Sequence, residues 1–215
     1  PFLQGIGGLQ GISLEGMFTH LASADGADPA GTLAQLATFQ EVLAAAREAG
    51  FAPPVVHAAN SAASMRLPQA HFNAVRPGVA LYGLQPSSEW PLPFEIRPVL
   101  SLKSLVARVR RLPTGVGIGY GFTYVTKEPI TVALVPIGYG DGYHRILSNQ
   151  GVVLVGGQRA PVLGRVSMDQ IVVDVSHIPG VRMDDHVVLI GRQGAEHIRA
   201  EEIARLAGTI NYEVT

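Results

Sequence analysis

One change of pattern along the chain constrains the fold more than any other feature. Up to about residue 86, short apolar stretches alternate with helical patterns, which is typical of βα units around a parallel sheet. Four prolines then fall between residues 86 and 98, where they exclude a regular helix or a central strand. Beyond them, apolar stretches of strand length follow one another. We therefore predict two domains, an α/β domain over residues 1–88 and a β-rich domain over residues 89–215.

The α/β part contains one strongly marked helix. It is predicted to begin at the N-cap residue Asp28, with Pro29 at its first position, and to end at Gly50. Its predicted apolar face consists of Leu33, Leu36, Phe39, Val42, Leu43 and Ala46. Shorter elements are predicted on both sides of it, namely strands over residues 14–19, 54–58 and 74–75 and a helix over residues 61–66.

Polar residues follow the ends of these predicted strands. His20 follows the first strand, Asn60 and Ser61 the second, and Arg76 the third. Ligands bind at this edge of α/β sheets and barrels, because the carboxyl ends of parallel strands meet there. Each residue also has a simpler interpretation: Asn60 and Ser61 as a helix cap, and Arg76 as an exposed cation in a turn.

In the β-rich part the pattern predicts six strands and a closing helix. The helix spans residues 200–207 with Ile203 and Leu206 facing inward, and residues 210–214 resemble the start of another strand. The predicted strands span residues 100–110, 130–137, 152–155, 159–162, 171–175 and 187–190. Strands joined by such short turns indicate a small, mostly antiparallel barrel or sandwich.

Residues 115–124 form an unusual segment, with glycine at every second position up to 121 and Tyr120 in their midst. Glycine allows uncommon backbone angles and the close approach of other groups. Tyr120 is therefore either a phenol positioned for chemistry or a core tyrosine in a hairpin made flexible by its glycines. Two further dense turns occur at residues 136–143 and 164–170, and each alone is more typical of a loop.

Composition excludes several functions. Sixteen basic against seventeen acidic residues give a net charge of −1, which does not favour binding to nucleic acid or to an anionic membrane. The sequence has no cysteine, no apolar run approaching the roughly 20 residues of a membrane span, and no histidine pair at metal-binding spacing. We expect a soluble, metal-free protein of a reducing compartment such as the cytoplasm, acting on a small molecule.

Seven segments, taken in order, resemble the motifs of the alanine racemase family, whose members use pyridoxal 5′-phosphate to interconvert L- and D-alanine. The resemblance covers essentially the whole chain. The segments are residues 19–25, 57–63, 76–83, 119–124, 136–143, 164–170 and 209–213.

The resemblance implies the C-terminal half of a (β/α)8 barrel followed by a mostly antiparallel β domain that lacks its end, in a homodimer with shared active sites. It implies that Tyr120 is a proton-transferring base acting in the partner's site. Arg76 would lie against the pyridine nitrogen of the cofactor, with His20 supporting it. An arginine there would leave that nitrogen unprotonated and weaken the ring as an electron sink.

The same resemblance implies a phosphate site and a substrate site. Tyr139 and Met168 would bound the substrate. The phosphate would be held by Ser61, the amides of Gly78 and Val79, and Tyr212, and Asn60 would be a further cofactor-binding residue.

One departure from the family pattern concerns lysine. The family's second base is the lysine that forms the Schiff base with the cofactor, and it precedes the region matching Pro1. Neither Lys103 nor Lys127 lies in a similar context. We therefore expect this chain alone to be inactive. The alternatives are a non-catalytic binding module of the same fold, a racemase for serine or another small amino acid, and a decarboxylase on a related barrel.

Overall fold

A computed structural model of the chain describes residues 2–215. The chain divides into two compact units, the first ending at Pro98 and the second running from Val99 to Thr215. This division falls later than the predicted 88/89, because Trp90 is buried in the core of the first unit. Its indole N–H also donates a hydrogen bond of 3.0 Å to the Asp25 carbonyl. Within residues 2–215, no helix is long and apolar enough to cross a membrane.

The first unit is built on short parallel strands. Strand β1 (Gly16–Phe18) pairs in parallel with strand β2 (Val55–His57), with Phe18 opposite His57, and an isolated parallel bridge joins His57 to Ala74. The strand predicted at residues 74–75 is therefore present as this one bridge. The helices are α1 (Phe2–Gly7), α2 (Ala30–Glu48) and α3 (Ser61–Arg66).

Helix α2 follows its sequence signals closely. The Asp28 carboxylate accepts a hydrogen bond of 2.9 Å from the Ala30 amide, and Gly50 takes a positive φ just beyond the helix end. Leu33 and Val42 were predicted to face inward but are 41% and 46% exposed. They flank a narrower buried stripe, since 3.6 residues per turn place them to either side of it. The stripe consists of Thr32, Leu36, Phe39, Leu43 and Ala46.

The strands of the second unit are β3 (Leu102–Leu105), β4 (Arg108–Leu112), β5 (Gly117–Ile118), β6 (Tyr124–Val125), β7 (Ile130–Val135), β8 (Val152–Val155), β9 (Gln158–Leu163), β10 (Ile171–Asp174), β11 (His186–Gln193) and β12 (Glu196–Ile198). Eight of them form an antiparallel sheet in the order β12-β11-β8-β9-β10-β7-β4, with β3 paired to β11. Strands β5 and β6 form a separate hairpin.

Two predictions for this unit are corrected. The strand predicted at residues 100–110 is two strands, because the chain changes partner at Val106: β3 pairs with β11, whereas β4 pairs with β7. Residues 210–214 were predicted to begin a strand, but Asn211–Val214 is helix α5, which follows helix α4 (Ala200–Ala207). Tertiary contact overrides strand propensity here, since the Asn211 side chain is buried and donates to Glu201 at 3.1 Å.

Candidate functional site

In the first unit, the ends of the parallel strands converge on Arg76. Its Nη2 atom donates to the Thr19 carbonyl at 3.0 Å and to His20 Nδ1 at 3.1 Å, and its Nη1 donates to His57 Nδ1. The Arg76 amide also donates to the Ala59 carbonyl at 2.8 Å. Arg76 and His20 are thus brought together as predicted, and the guanidinium is fixed by acceptors from two neighbouring strand ends.

These contacts assign a role to one ring nitrogen of each histidine. A guanidinium can only donate hydrogen bonds, so each Nδ1 atom is the acceptor. The His57 ring also stacks on Phe18, with centroids 5.2 Å apart and planes 7° from parallel. The Arg76 guanidinium carbon lies 5.4 Å from the centre of the Phe18 ring. His57 and Phe18 therefore complete the set of groups that orient the arginine.

Ser61 lies at the centre of a second group of contacts in the same unit. It is 3% exposed, and its hydroxyl oxygen accepts hydrogen bonds from the amides of Gly78 at 2.8 Å and Ala80 at 3.3 Å. The neighbouring Asn60 caps helix α3 by accepting from the Ala63 amide at 3.1 Å. The simpler interpretation of Asn60 is therefore realised, and the Gly78 amide is already engaged by Ser61.

Two donors in this group remain without an acceptor among residues 2–215. The Ser61 hydroxyl receives two amides, which leaves its own proton available, and the Val79 amide makes no hydrogen bond within the described part of the chain. A hydroxyl and an amide left as donors suit an anion.

In the second unit, Tyr120 lies at the tip of the β5–β6 hairpin. The base of the hairpin is closed by the buried Thr126, whose hydroxyl accepts from the Val116 amide at 2.8 Å and donates to the Pro113 carbonyl at 2.7 Å. The Tyr120 side chain is 71% exposed. The hairpin is thus anchored at its base while it presents the phenol outward, and Tyr120 is not a core tyrosine.

The glycines around Tyr120 have a specific packing role. A methyl group on the Gly119 α-carbon would lie 3.0 Å from the Arg165 backbone nitrogen, and φ at Gly119 is +70°. At Gly121 a methyl group would meet the Arg165 guanidinium at 3.1 Å. The hairpin therefore rests directly on Arg165, and only a residue without a side chain fits at Gly119 without strain.

The segment 164–170 also supports the turn that carries Tyr139. The Tyr139 amide donates to the Ser167 carbonyl at 3.0 Å, and the Gly140 amide donates to the Met168 carbonyl at 2.7 Å. The side chains of Tyr139 and Met168 are 43% and 61% exposed. The segment 164–170 therefore contains Met168, forms hydrogen bonds with the turn of Tyr139 and contacts the hairpin that carries Tyr120.

Tyr143 occupies a second glycine-spaced turn but differs from Tyr120 in its environment. It is 3% exposed, and burial raises the pKa of its phenol well above the ordinary value. A phenol that stays protonated in the core serves packing rather than proton transfer. Of these two tyrosines, Tyr120 is the accessible one.

The remaining predicted residues lie in the second unit. Tyr212 is on helix α5 and is 46% exposed. Lys103 lies on strand β3 and Lys127 follows β6, and both are exposed. Neither lysine belongs to the unit that contains Arg76 and Ser61.

Sequence reasoning missed His57, Arg165 and Asn149. His57 ends strand β2, three residues before Asn60, and its place at a strand end was a usable signal. Arg165 lies in the dense turn at residues 164–170 but was not singled out within it, because its contact with the Tyr120 hairpin joins residues distant in sequence. No local pattern marked Asn149, which acts through its contact with Thr123.

Comparisons with known proteins agree on one family. The family model described as "Alanine racemase, N-terminal domain" matches residues 2–86, and "Alanine racemase, C-terminal domain" matches residues 99–215. Alanine racemase from Desulfovibrio desulfuricans is 48% identical over 213 residues, which are 99% of this chain and 57% of that protein.

Solved structures show the same likeness. Alanine racemase from Bacillus anthracis with bound L-Ala-P has a TM-score of 0.93 at 45% identity, over 99% of this chain and 55% of that one. Alanine racemase from Bartonella henselae with covalently bound pyridoxal phosphate has a TM-score of 0.81 at 34% identity, over 93% of this chain and 53% of that one. The chain therefore spans little more than half the length of these relatives.

The matches confirm the predicted fold class, the C-terminal half of a (β/α)8 barrel followed by a mostly antiparallel β domain. The two family models match in sequence order and together leave only a short linking segment and the first residue uncovered. The chain belongs to the alanine racemase family.

Proposed function

We propose that the protein containing this chain is a homodimeric, cytoplasmic alanine racemase that uses pyridoxal 5′-phosphate to supply D-alanine. The family membership and the relatives named above support this reaction. The side chains of Tyr120, Tyr139 and Met168 project from one set of turns and are all exposed, which supports a site completed by another subunit.

The residues of the first unit fit the cofactor. Arg76 uses two N–H groups of Nη2 and one of Nη1 in these contacts, which leaves Nε–H and one Nη1–H without an acceptor among residues 2–215 and able to donate to a ring nitrogen. Ser61 and the Val79 amide offer two donors to a phosphate, and Gly78 brings the chain close to Ser61. Asn60 positions Ser61 by capping the helix, and Tyr212 is proposed as a further phosphate ligand.

Electron withdrawal by bound pyridoxal phosphate makes the Cα proton of an amino acid removable. Arg76 contributes a permanent positive charge that donates a hydrogen bond and cannot give up its proton, so a ring nitrogen facing it stays unprotonated. His20, His57 and the Thr19 carbonyl keep the guanidinium in one orientation.

Tyr120 is proposed to move a proton to and from one face of the substrate Cα. A free phenol has a pKa near 10, so an efficient base at neutral pH needs a nearby cation. The Arg165 guanidinium lies beside Gly121, the residue next to Tyr120. Tyr139 and Met168 are proposed to bound the substrate on the same side.

Inversion at Cα requires a second base on the opposite face. The chain has only Lys103 and Lys127, both exposed in the second unit. We propose that the second base is a lysine outside these residues and that the chain needs the rest of the protein for turnover.

The observation that carries the proposal is the Arg76 guanidinium held by His20, His57 and Thr19 at the ends of parallel strands. The test incubates the natural protein containing this chain with pyridoxal phosphate and L-alanine in D2O. We expect D-alanine that carries deuterium at Cα, and Tyr120→Phe should slow its formation by about 10²- to 10⁴-fold.

Other outcomes would reassign the function. Failure of the wild-type protein to form D-alanine would contradict the proposal and favour a non-catalytic module. Faster inversion of L-serine would move the substrate assignment from alanine to serine, and release of carbon dioxide would indicate a decarboxylase.

A further inference from the structure

Asn149 joins two segments that carry the candidate site. It follows a short turn at Arg145–Leu147 and takes a φ of +60°. Asparagine tolerates this left-handed conformation better than most residues with a side chain. The conformation turns both its backbone and its side chain toward neighbours that are distant in sequence.

Three hydrogen bonds define the position of Asn149. Its Oδ1 accepts from the Gly164 amide at 2.6 Å, its own amide donates to the Gly164 carbonyl at 3.2 Å, and its Nδ2 donates to Thr123 Oγ1 at 3.1 Å. Because a backbone amide can only donate, Oδ1 must face Gly164 and Nδ2 must face Thr123. The side chain therefore bridges two segments with opposite ends of one rigid amide.

Both bridged residues are close to Tyr120. Thr123 is the residue directly after the Tyr120–Phe122 turn. On the other side, a methyl group on Gly164 would lie 2.5 Å from the Ile118 carbonyl oxygen, so the two backbones touch. Asn149 thus holds the hairpin on one side while Gly164 and Arg165 support it on the other.

We propose that Asn149, acting through Thr123, is a positioning residue that sets the distance between Tyr120 and the segment carrying Met168. It is not proposed to contact the substrate or the cofactor. A misplacement of about 1 Å far from the chemistry can cost about 10²-fold in rate, so a single bridge of this kind matters for proton transfer. The inference rests on the proposed racemase function.

The bridge can be removed with little change of shape. Thr123→Val replaces the acceptor hydroxyl with a methyl group of similar size on an exposed residue, and Thr123→Ser restores a hydroxyl. Asn149→Ala removes both side-chain bonds. Gln150→Ala is the matched control, since Gln150 lies next to Asn149 but bonds only to the Ile146 and Leu147 carbonyls among the described residues.

The readouts are kcat and KM for alanine with the natural protein, together with its unfolding midpoint. We expect Thr123→Val and Asn149→Ala to lower kcat by about 10- to 100-fold, with KM changed by less than about threefold. Thr123→Ser should recover most of the loss, and Gln150→Ala should have no effect. Pyridoxal phosphate affinity should stay unchanged in all four variants.

A double-mutant cycle separates positioning from a general structural role. In a Tyr120→Phe background, Thr123→Val should cause no further loss of the residual rate, because the group it positions is gone. The same fractional loss in both backgrounds, or full activity of Thr123→Val, would overturn the inference. These results leave the proposed function intact, whereas an inactive wild-type protein would contradict the proposed function itself.

Discussion

Gly138 lies so close to Ser167 that a methyl group on its α-carbon would come within 2.2 Å of the Ser167 carbonyl oxygen. The contact is between backbones, and φ at Gly138 is −150°, so any residue could adopt its conformation. Glycine is required here for space alone. This contact brings the turn of Tyr139 onto the segment that carries Met168.

Gly138→Ala should therefore push the two segments apart. We expect the free energy of unfolding to fall by about 1–3 kcal/mol, the usual cost of overpacking, and KM for alanine to rise. The comparison for KM is Gly142→Ala, where no atom lies within 4 Å of the added carbon; φ there is +94°, so this substitution carries backbone strain of its own and its loss of stability is not compared. If KM for alanine is unchanged in Gly138→Ala, the Gly138 contact does not position the site.

Arg76→Lys should weaken pyridoxal phosphate binding by about tenfold or more. A lysine ammonium cannot reproduce the planar contacts of Arg76 with His20, His57 and Thr19, and charged hydrogen bonds contribute about 1.5–3 kcal/mol each. Absorbance titration of the natural protein with pyridoxal phosphate measures the affinity. Arg97→Lys serves as the control, since this side chain is 86% exposed and, among residues 2–215, forms an ion pair only with Glu95, at 3.4 Å. Equal affinities in the two variants would exclude Arg76 from the cofactor site.

Arg159 should contribute measurably to stability although it is near the surface. Its guanidinium bonds to Glu202 at 2.6 and 3.1 Å, to Glu196 at 2.9 Å and to the His197 carbonyl at 3.0 Å, which connects β9, β12 and α4. Because Arg159 is 40% exposed, we expect Arg159→Met to cost only about 1 kcal/mol, and less at high salt. Arg182→Met should cost close to nothing, since this arginine is 85% exposed and lies 3.6 Å from Asp185. Denaturation at two salt concentrations tests both values.

Stability should depend on the titration of His197. Partial burial, followed by the positive charges of Arg192 and Arg199, lowers the pKa of this histidine below its ordinary value near 6.5. The unfolded chain then binds a proton more readily than the folded one. The contribution of neutral His197 to the free energy of unfolding is fully present above pH 6.5 and is lost as the pH falls through the lower pKa of the folded state.

His197→Gln removes this titration. The free energy of unfolding of the variant should decline less steeply than that of the wild type as the pH is lowered from 7 to 5. Denaturant titrations at several pH values measure the slope. Equal slopes for the two proteins would show that protonation of His197 does not destabilise the folded state.

Helix ends could be predicted from the sequence where capping residues set them locally. Helices α3 and α4 begin and end where the sequence predicted, because an N-cap at Asn60 and a C-terminal glycine at Gly208 act within one turn. The single long strand predicted at residues 100–110 was wrong, since the change of partner at Val106 depends on strands far along the chain. Residues 210–214 became helical for the same kind of reason, through contact with Glu201.

In the candidate site, the residues themselves could be predicted from the sequence, but the contacts between them could not. Tyr120, Tyr139, Arg76 and Ser61 were visible because uncommon glycine spacing or a strand end marked them, whereas only the family resemblance indicated Met168. The contacts that orient them were not visible. His57 meets Arg76 and Asn149 meets Thr123 only after the chain has folded.

The sequence by itself determined the family, the two kinds of domain and the residue types available for chemistry, because these follow from local pattern and motif order. Only the tertiary structure decided which glycines are required for close contact, which tyrosine is accessible and which donors remain free near Ser61. Those properties depend on distances between residues tens of positions apart, and packing of the folded chain sets such distances.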